Sequence, residues 1–237
     1  MSALPLVPPV TICVLCYGDY PQLARRILES LLRHTPATAM RLRIGLNAVS
    51  RETIELVDSM APRLPVEFIV HSETNLYKLP MMRRLFHDRP IGTPWTIWFD
   101  DDSYVVRGDW LSMLACESQL QPGVGMWGKP LYTWGGEDCR QFIREAEWFN
   151  GLEPLDDNLP GRCRLNFIAG GFWAIRTTYI HQLGWPDRRL IHFGDDYMLG
   201  EAMRQIGARL GQASSGIAIN QCSRRAPSQT PRCEVLH

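Results

Sequence analysis

Strand and helix patterns alternate over the first hundred residues, and that rhythm restricts the fold more than any other feature. Val10 to Cys16 is an unbroken apolar, β-branched run, as expected of a strand covered on both faces. "YGDYP" reads as a turn, and Pro21 opens a helical pattern that aligns Leu23, Ile27, Leu28, Leu31 and Leu32. "MRLRIGLNA" alternates apolar and basic residues and is predicted to be a second strand. "SRETIELVDSMA" is predicted to be a helix opened by Ser50, with Ile54, Val57 and Met60 on one face. "VEFIVHSE" is a third strand, "LPMMRRLFHD" a short helix and "WTIWF" a fourth strand. Short links between alternating elements predict an α/β fold, a mostly parallel sheet with helices on both faces.

The texture then changes. "RGDWLSMLACESQL" reads as a helix with Asp109 near its start. Residues 122–165 are rich in Gly, Pro, Trp and Asp, and only "EDCRQFIREAEWF" has a helical pattern there. A long irregular segment in a compact domain is usually functional, so 128–165 is expected to be a lid. "NFIAGGFWAIR" reads as a strand broken by Gly170 and Gly171, where another group approaches the backbone closely. "GDDYMLGEAMRQIGA" is a turn entering a helix, with Met198, Leu199, Ala202, Met203 and Ile206 inward and Gly207 as C-cap. The tail from Ser223 is basic, polar and Pro-containing, and is expected to be loosely ordered.

Charge excludes some functions. The 237 residues hold 25 basic and 25 acidic side chains, so nothing electrostatic favours nucleic acid or an anionic membrane. Seven cysteines are an odd and sparse set, read as reduced thiols of a cytoplasmic protein. Cys13 and Cys16 form a C-x-x-C inside an apolar run and are expected to be buried core. No stretch is long and apolar enough for a membrane span. The opening "MSALPLVPPV" has no basic n-region and is expected to be a short leader rather than a signal peptide.

Three carboxylates follow the fourth strand in "WFDDDSYVV". Like charges this close repel, so a cation or water must meet them. Strand alternation would send Asp100 and Asp102 to one side and Asp101 to the other. Paired carboxylates are hard oxygen ligands suited to Mg2+ or Mn2+, which in turn can hold a diphosphate. A lone D-x-D is otherwise a solvated loop; the apolar strand directly before it favours the metal reading. Asp195 and Asp196 form a second cluster before an amphipathic helix. One acid there serves as an N-cap. Two exceed that need, and their mutual repulsion suits a general base.

"IWFDDDSYV", "NFIAGGFWAIR" and "FGDDYMLGEAMRQIG", in this order, resemble the nucleotide-sugar glycosyltransferases of the GT-A fold. The first is similar to the triple-aspartate motif of the Fringe and β-1,3-galactosyltransferase group, the last to the acidic motif and helix of family 2 glycosyltransferases. The resemblance covers roughly residues 10–220. It implies one GT-A domain over 1–222, with a nucleotide-binding half near 10–106, an acceptor half near 107–222 and a basic tail at 223–237.

By position it implies Asp102 and Asp100 as metal ligands, with Asp102 the direct one, and Asp101 toward ribose or sugar. Asp196 would deprotonate the acceptor hydroxyl, with Asp195 where many relatives carry Glu. Gly170, Gly171 and Phe172 would lie under the donor sugar. Tyr17 and Asp19 would grip the base, Asn47 would stand where relatives place an acid that reads uracil, and Asn75 and Lys78 would touch the nucleotide. Relatives often supply a late His to the metal. Here no His follows Asp196 before His237, so Asn220 or a water would stand in. Trp134 and Trp173 are acceptor candidates because indoles stack on sugars, and His192 is a candidate ligand or acceptor contact.

The expected function is therefore metal-dependent transfer of a sugar from a UDP-sugar to a saccharide, protein or small-molecule hydroxyl, with inversion. A retaining outcome stays open, and the alternatives are a catalytically degenerate GT-A module, a nucleotidyltransferase and an Asp-dependent phosphohydrolase. The phosphohydrolase places its motif on the first strand, whereas here it follows about the fourth.

Overall fold

The computed structural model describes residues 8–156 and 161–220. In chain order the elements are β1 (Val10–Tyr17), α1 (Pro21–His34), β2 (Met40–Asn47), α2 (Arg51–Met60), β3 (Val66–Ser72), α3 (Lys78–His87), β4 (Trp95–Asp100), β5 (Tyr104–Val105) and α4 (Trp110–Leu120). They continue with β6 (Val124–Gly135), α5 (Glu137–Arg144), β7 (Cys163–Arg176), α6 (Thr177–Leu183), α7 (Asp195–Gln205), β8 (Arg209–Gln212) and β9 (Ile217–Ala218). The main sheet runs β3-β2-β1-β4-β7-β6-β8, and β5 pairs with β9 alongside it. The first four strands of that order are parallel, while β7 is antiparallel to both β4 and β6. This is the single-domain α/β sheet that the alternating pattern requires.

The central strand shows why its run is apolar throughout. Val10, Ile12, Val14 and Cys16 enter the core formed with α1, α2 and α4, while Cys13 and Leu15 enter the opposite core with α3, α6 and α7. Each aliphatic side chain so buried contributes roughly 1.5–3 kcal/mol. Cys13 and Cys16 therefore point into different cores, and burial pushes the Cys13 thiol up to about 12, against the lowering effect of Arg43. Helix α2 starts as its sequence demands, with Ser50 Oγ accepting from the Thr53 N–H.

Two expectations need correction. In β2 only Arg41 of the basic residues reaches solvent. Arg43 is 1% exposed, pairs with Glu67, and donates to the carbonyls of Leu85 at 2.7 Å, Arg89 at 2.9 Å and Pro90 at 2.6 Å. An alternating pattern could not distinguish this buried clamp from a solvated arginine. The segment 122–165 is also more regular than expected in its first part, which is the twelve-residue strand β6. Residues 128–135 lie in that strand, bonded to β7, so they cannot be part of a lid. Pro130 and the glycines hid the strand. The structure accommodates Pro130, which has no N–H, at a register break: Gly128 faces Trp173 but Pro130 faces Ile168. The tail, Cys222, Cys233 and His237 lie outside the described residues.

Candidate active site at the carboxyl ends of β1, β2 and β4

The three parallel strands end together. Tyr17 is in register with Asn47, and Leu15 with Asp100. Beside them β7 carries the register break, which spreads residues 168–173 over two positions of β6 and so re-aims Gly170 and Gly171. Ligands in open α/β sheets collect at such strand ends.

The three aspartates do three different things. Asp100 is the last residue of β4; its Oδ1 accepts from Trp98 Nε1 at 2.9 Å and its Oδ2 from Lys78 Nζ at 3.2 Å. Asp101 is 1% exposed, and its Oδ2 accepts the Tyr17 backbone N–H at 3.1 Å. It fixes the end of β1 instead of turning toward ribose or sugar. Asp102 is 7% exposed, and Arg26 donates to its backbone carbonyl at 3.4 Å. The expected alternation fails because β4 stops at Asp100, where the Ser103 N–H closes a turn on the Asp100 carbonyl at 3.0 Å.

Lys78 supplies the positive charge that the aspartates demand. Its Nζ lies 3.0 Å from Asp195 Oδ2, 3.2 Å from Asp100 Oδ2 and 3.4 Å from the Gly170 carbonyl. Burial opposes charge on this amine, but Asp100 and Asp195 outweigh it and hold its pKa above the lysine range. A Cβ on Gly170 would stand 3.3 Å from that ammonium, so the bulge and the glycine together make room for it.

The acids of α7 are not its cap. Gly194, at φ 84°, occupies the N-cap position with no side-chain cap bond, and Asp196 Oδ1 accepts the Tyr197 N–H at 2.9 Å. Burial, then the charge of Asp195, raises the Asp196 carboxyl to about 6. The two clusters read separately in the sequence thus share one cation.

A network behind β2 shapes the other wall. Asn47 is 1% exposed; its Oδ1 accepts from the Leu76 N–H at 2.9 Å, and its Nδ2 donates to Asn75 Oδ1 at 3.0 Å and the Tyr77 carbonyl at 3.3 Å. It holds the loop before α3, and its amide is not presented to a base. Asn75 Nδ2 donates in turn to the Tyr17 hydroxyl at 3.1 Å. Asp19 stands exposed on the loop after β1. Tyr77, at φ 64°, turns the chain so that Lys78 can open α3.

The aromatic candidates divide. Trp173 is 1% exposed and stacks on Trp98 with centroids 5.9 Å apart and 15° between planes, so it is core and not an acceptor contact. Trp134 is exposed at the outer end of β6, opposite Arg164. Gly170 lies six positions along β7 from Arg164, about 20 Å, so Trp134 is remote from the acid pair. His192 lies nearer, at a lip where its ring sits 6.2 Å from Tyr77 and 4.8 Å from Phe193.

No family model and no curated protein sequence matches the chain. Its backbone does match solved structures. A mannosyltransferase from Pyrobaculum calidifontis, solved with GDP-Man and Mn2+, superposes with TM-score 0.59 at 17% identity, over 89% of this chain and 56% of that one. S. aureus TarS 1-349 gives 0.57 at 13%, over 87% and 58%. GalNAc-T7, solved with UDP, GalNAc and Mn2+, gives 0.61 at 12%, over 94% and 46%.

The fold is GT-A.

The chain spans about half the length of each of these structures. Among the described residues no group of three or more His, Cys, Asp and Glu side chains is arranged to hold a metal. A divalent ion that also binds a diphosphate needs fewer, since one or two protein ligands are completed by phosphate oxygens. The residues present fit that smaller set. Asn220 donates its N–H to Ser103 Oγ at 3.0 Å, and its amide oxygen fills the hollow that a Gly171 side chain would occupy. Ser103 thereby ties Asn220 to the turn that carries Asp102, which makes Asp102 and Asn220 the candidate oxygen donors. Lys78 and Trp98 each donate to one oxygen of Asp100, so a metal would compete with them for that carboxylate. Tyr77, Phe193 and Ser103 were missed in the sequence. The first two flank the His192 ring, where the Leu79 N–H at the start of α3 reaches the Ile191 carbonyl of the loop before α7 at 3.0 Å.

Proposed function

We propose that the chain transfers a sugar from a nucleoside-diphosphate sugar, UDP-linked in the first instance, to an acceptor hydroxyl with inversion. The observation that carries this reading is Lys78, which ties the triple-aspartate turn to the acid pair of α7 on a GT-A sheet.

Asp196 is the base. Its carboxyl, raised to about 6 by burial and by Asp195, is ionised near neutral pH yet basic enough to accept a proton. The acceptor oxygen attacks the anomeric carbon and its proton passes to the Asp196 carboxylate. The bond from that carbon to the phosphate oxygen breaks, and the nucleoside diphosphate leaves with the electron pair. Tyr17, Asn75 and Asp19 face the nucleoside end. Asp102 and Asn220 would hold Mn2+ or Mg2+, which neutralises charge on the leaving diphosphate. The lip of Tyr77 and Phe193, both exposed, with the half-buried His192 between them, offers aromatic surface to the acceptor. No helix among the described residues is long and apolar enough to cross a membrane.

The test is thermal stability against nucleoside diphosphates and their sugars, with and without Mn2+, for the wild type and Asp102→Ala. Saturation near 100 times Kd should add about 2.7 kcal/mol. A metal-dependent rise with UDP compounds that the variant lacks supports the reading; no rise with any nucleotide overturns it.

A further inference from the structure

Two adjacent acids at one helix start raise the question of which serves as base, and what keeps the other from sharing its proton. Asp195 Oδ2 is ion-paired to Lys78 at 3.0 Å, and the same ammonium reaches Asp100 Oδ2 and the Gly170 carbonyl. An ammonium has three N–H donors, and three acceptors from three separate elements surround this one. Asp196, one residue on, turns its Oδ1 to the Tyr197 N–H instead.

We propose that Lys78 is a positioning residue that clamps Asp195 to the donor-side carboxylate Asp100 and so leaves Asp196 as the acid that exchanges a proton with the acceptor. The inference rests on the glycosyl-transfer reading above. It assigns Lys78 to the acceptor chemistry rather than to the nucleotide. The clamp crosses the register break of β7, where a side chain at position 170 would press on the ammonium, so strand β7, helix α3 and helix α7 are adjusted to one another through it. A lysine suits the place because its compact ammonium meets three acceptors in different directions; a planar guanidinium does not. Among the described residues, the charged groups that act on Asp196 are Asp195 on its own helix and Lys78 from α3, with Asp100 of β4 reached through Lys78.

The two halves of the clamp push Asp196 in opposite directions. Lys78→Met removes a positive charge, and the Asp196 midpoint should rise by about one pH unit; Asp195→Asn removes a negative charge, and it should fall by a similar amount. Carboxylate NMR titration of the 237-residue apo chain reads both shifts without any turnover. Circular dichroism confirms that each variant is folded, and either variant alone decides the sign. In transfer assays Lys78→Met should lower kcat about a hundredfold with donor KM changed less than about threefold, and the acid limb of its rate profile should move with the NMR midpoint. Lys78→Arg should not restore kcat.

If neither substitution moves the Asp196 midpoint, the clamp does not act on the base and the proposal falls. It also falls if Lys78→Met raises donor KM while kcat and the acid limb stay as in the wild type, which would make Lys78 a phosphate contact. A wild type that turns over no nucleotide-sugar while the NMR shifts appear as stated would count against glycosyl transfer and leave the clamp standing.

Discussion

Gly171 and Asn220 share one hollow: a Cβ on Gly171 would overlap the Asn220 amide oxygen and come within 2.8 Å of Ser103 Oγ. The glycine is there for space. Gly171→Ala should push Asn220 off Ser103 and weaken Mn2+-dependent nucleotide binding about tenfold, about 1.4 kcal/mol, while the protein stays folded. Calorimetric titration of UDP with and without Mn2+ checks this; unchanged metal dependence would remove Asn220 from the metal set.

Asp196 should make the protein less stable where it is most active. Its folded pKa of about 6 lies above the ordinary 3.8, so the folded chain binds the extra proton between these values. The favourable contribution is complete below about pH 4 and is lost as pH rises through about 6, leaving a penalty of at most about 3 kcal/mol at neutral pH. Asp196→Asn should therefore gain up to that amount in urea unfolding at pH 7.5 and almost nothing at pH 4. Transfer should fall by about two to four orders of magnitude. Equal stability changes at both pH values would refute the burial argument.

Arg43→Met should be severe although it lies far from any substrate. It leaves the carbonyls of Leu85, Arg89 and Pro90 without their donor and Glu67 without its cation. Breaking such a buried set costs about 3–5 kcal/mol. A denaturant midpoint within error of the wild type would show that water replaces the guanidinium.

Asn47→Asp tells support from readout. The carboxylate keeps the acceptor for the Leu76 N–H but loses the donor that serves Asn75 and the Tyr77 carbonyl. Affinity should drop for every nucleotide alike, by about three- to tenfold for lost hydrogen bonds. A change in preference among uridine, guanosine and adenosine diphosphates would instead mean that position 47 contacts the base.

Much of this architecture was legible because hydrophobic periodicity is a local property. β1 to β4 and α1 to α3 appear in the residue pattern with nearly the bounds they take in space. Gly170 and Gly171 announced a close approach, and two backbone-proximal groups, Lys78 and Asn220, fill it. The strand β6 was not legible, because a proline and several glycines suit a loop everywhere except at a register break, and a break exists only relative to a partner strand.

Residue type and order alone determined that the chain is a sheet with helices on both faces, that carboxylates crowd the end of its fourth strand, and that a second acid pair opens a late helix. Which carboxylate does what was decided only by tertiary contact. Asp101 is taken by the backbone of Tyr17, Asp100 and Asp195 by one ammonium, Trp173 by Trp98, and Asn47 by the loop it supports. The physical reason is that a charge or an aromatic face acquires its role from the neighbour that neutralises or covers it. Those neighbours lie on elements far apart in the chain, which the sheet order brings together and no local pattern encodes.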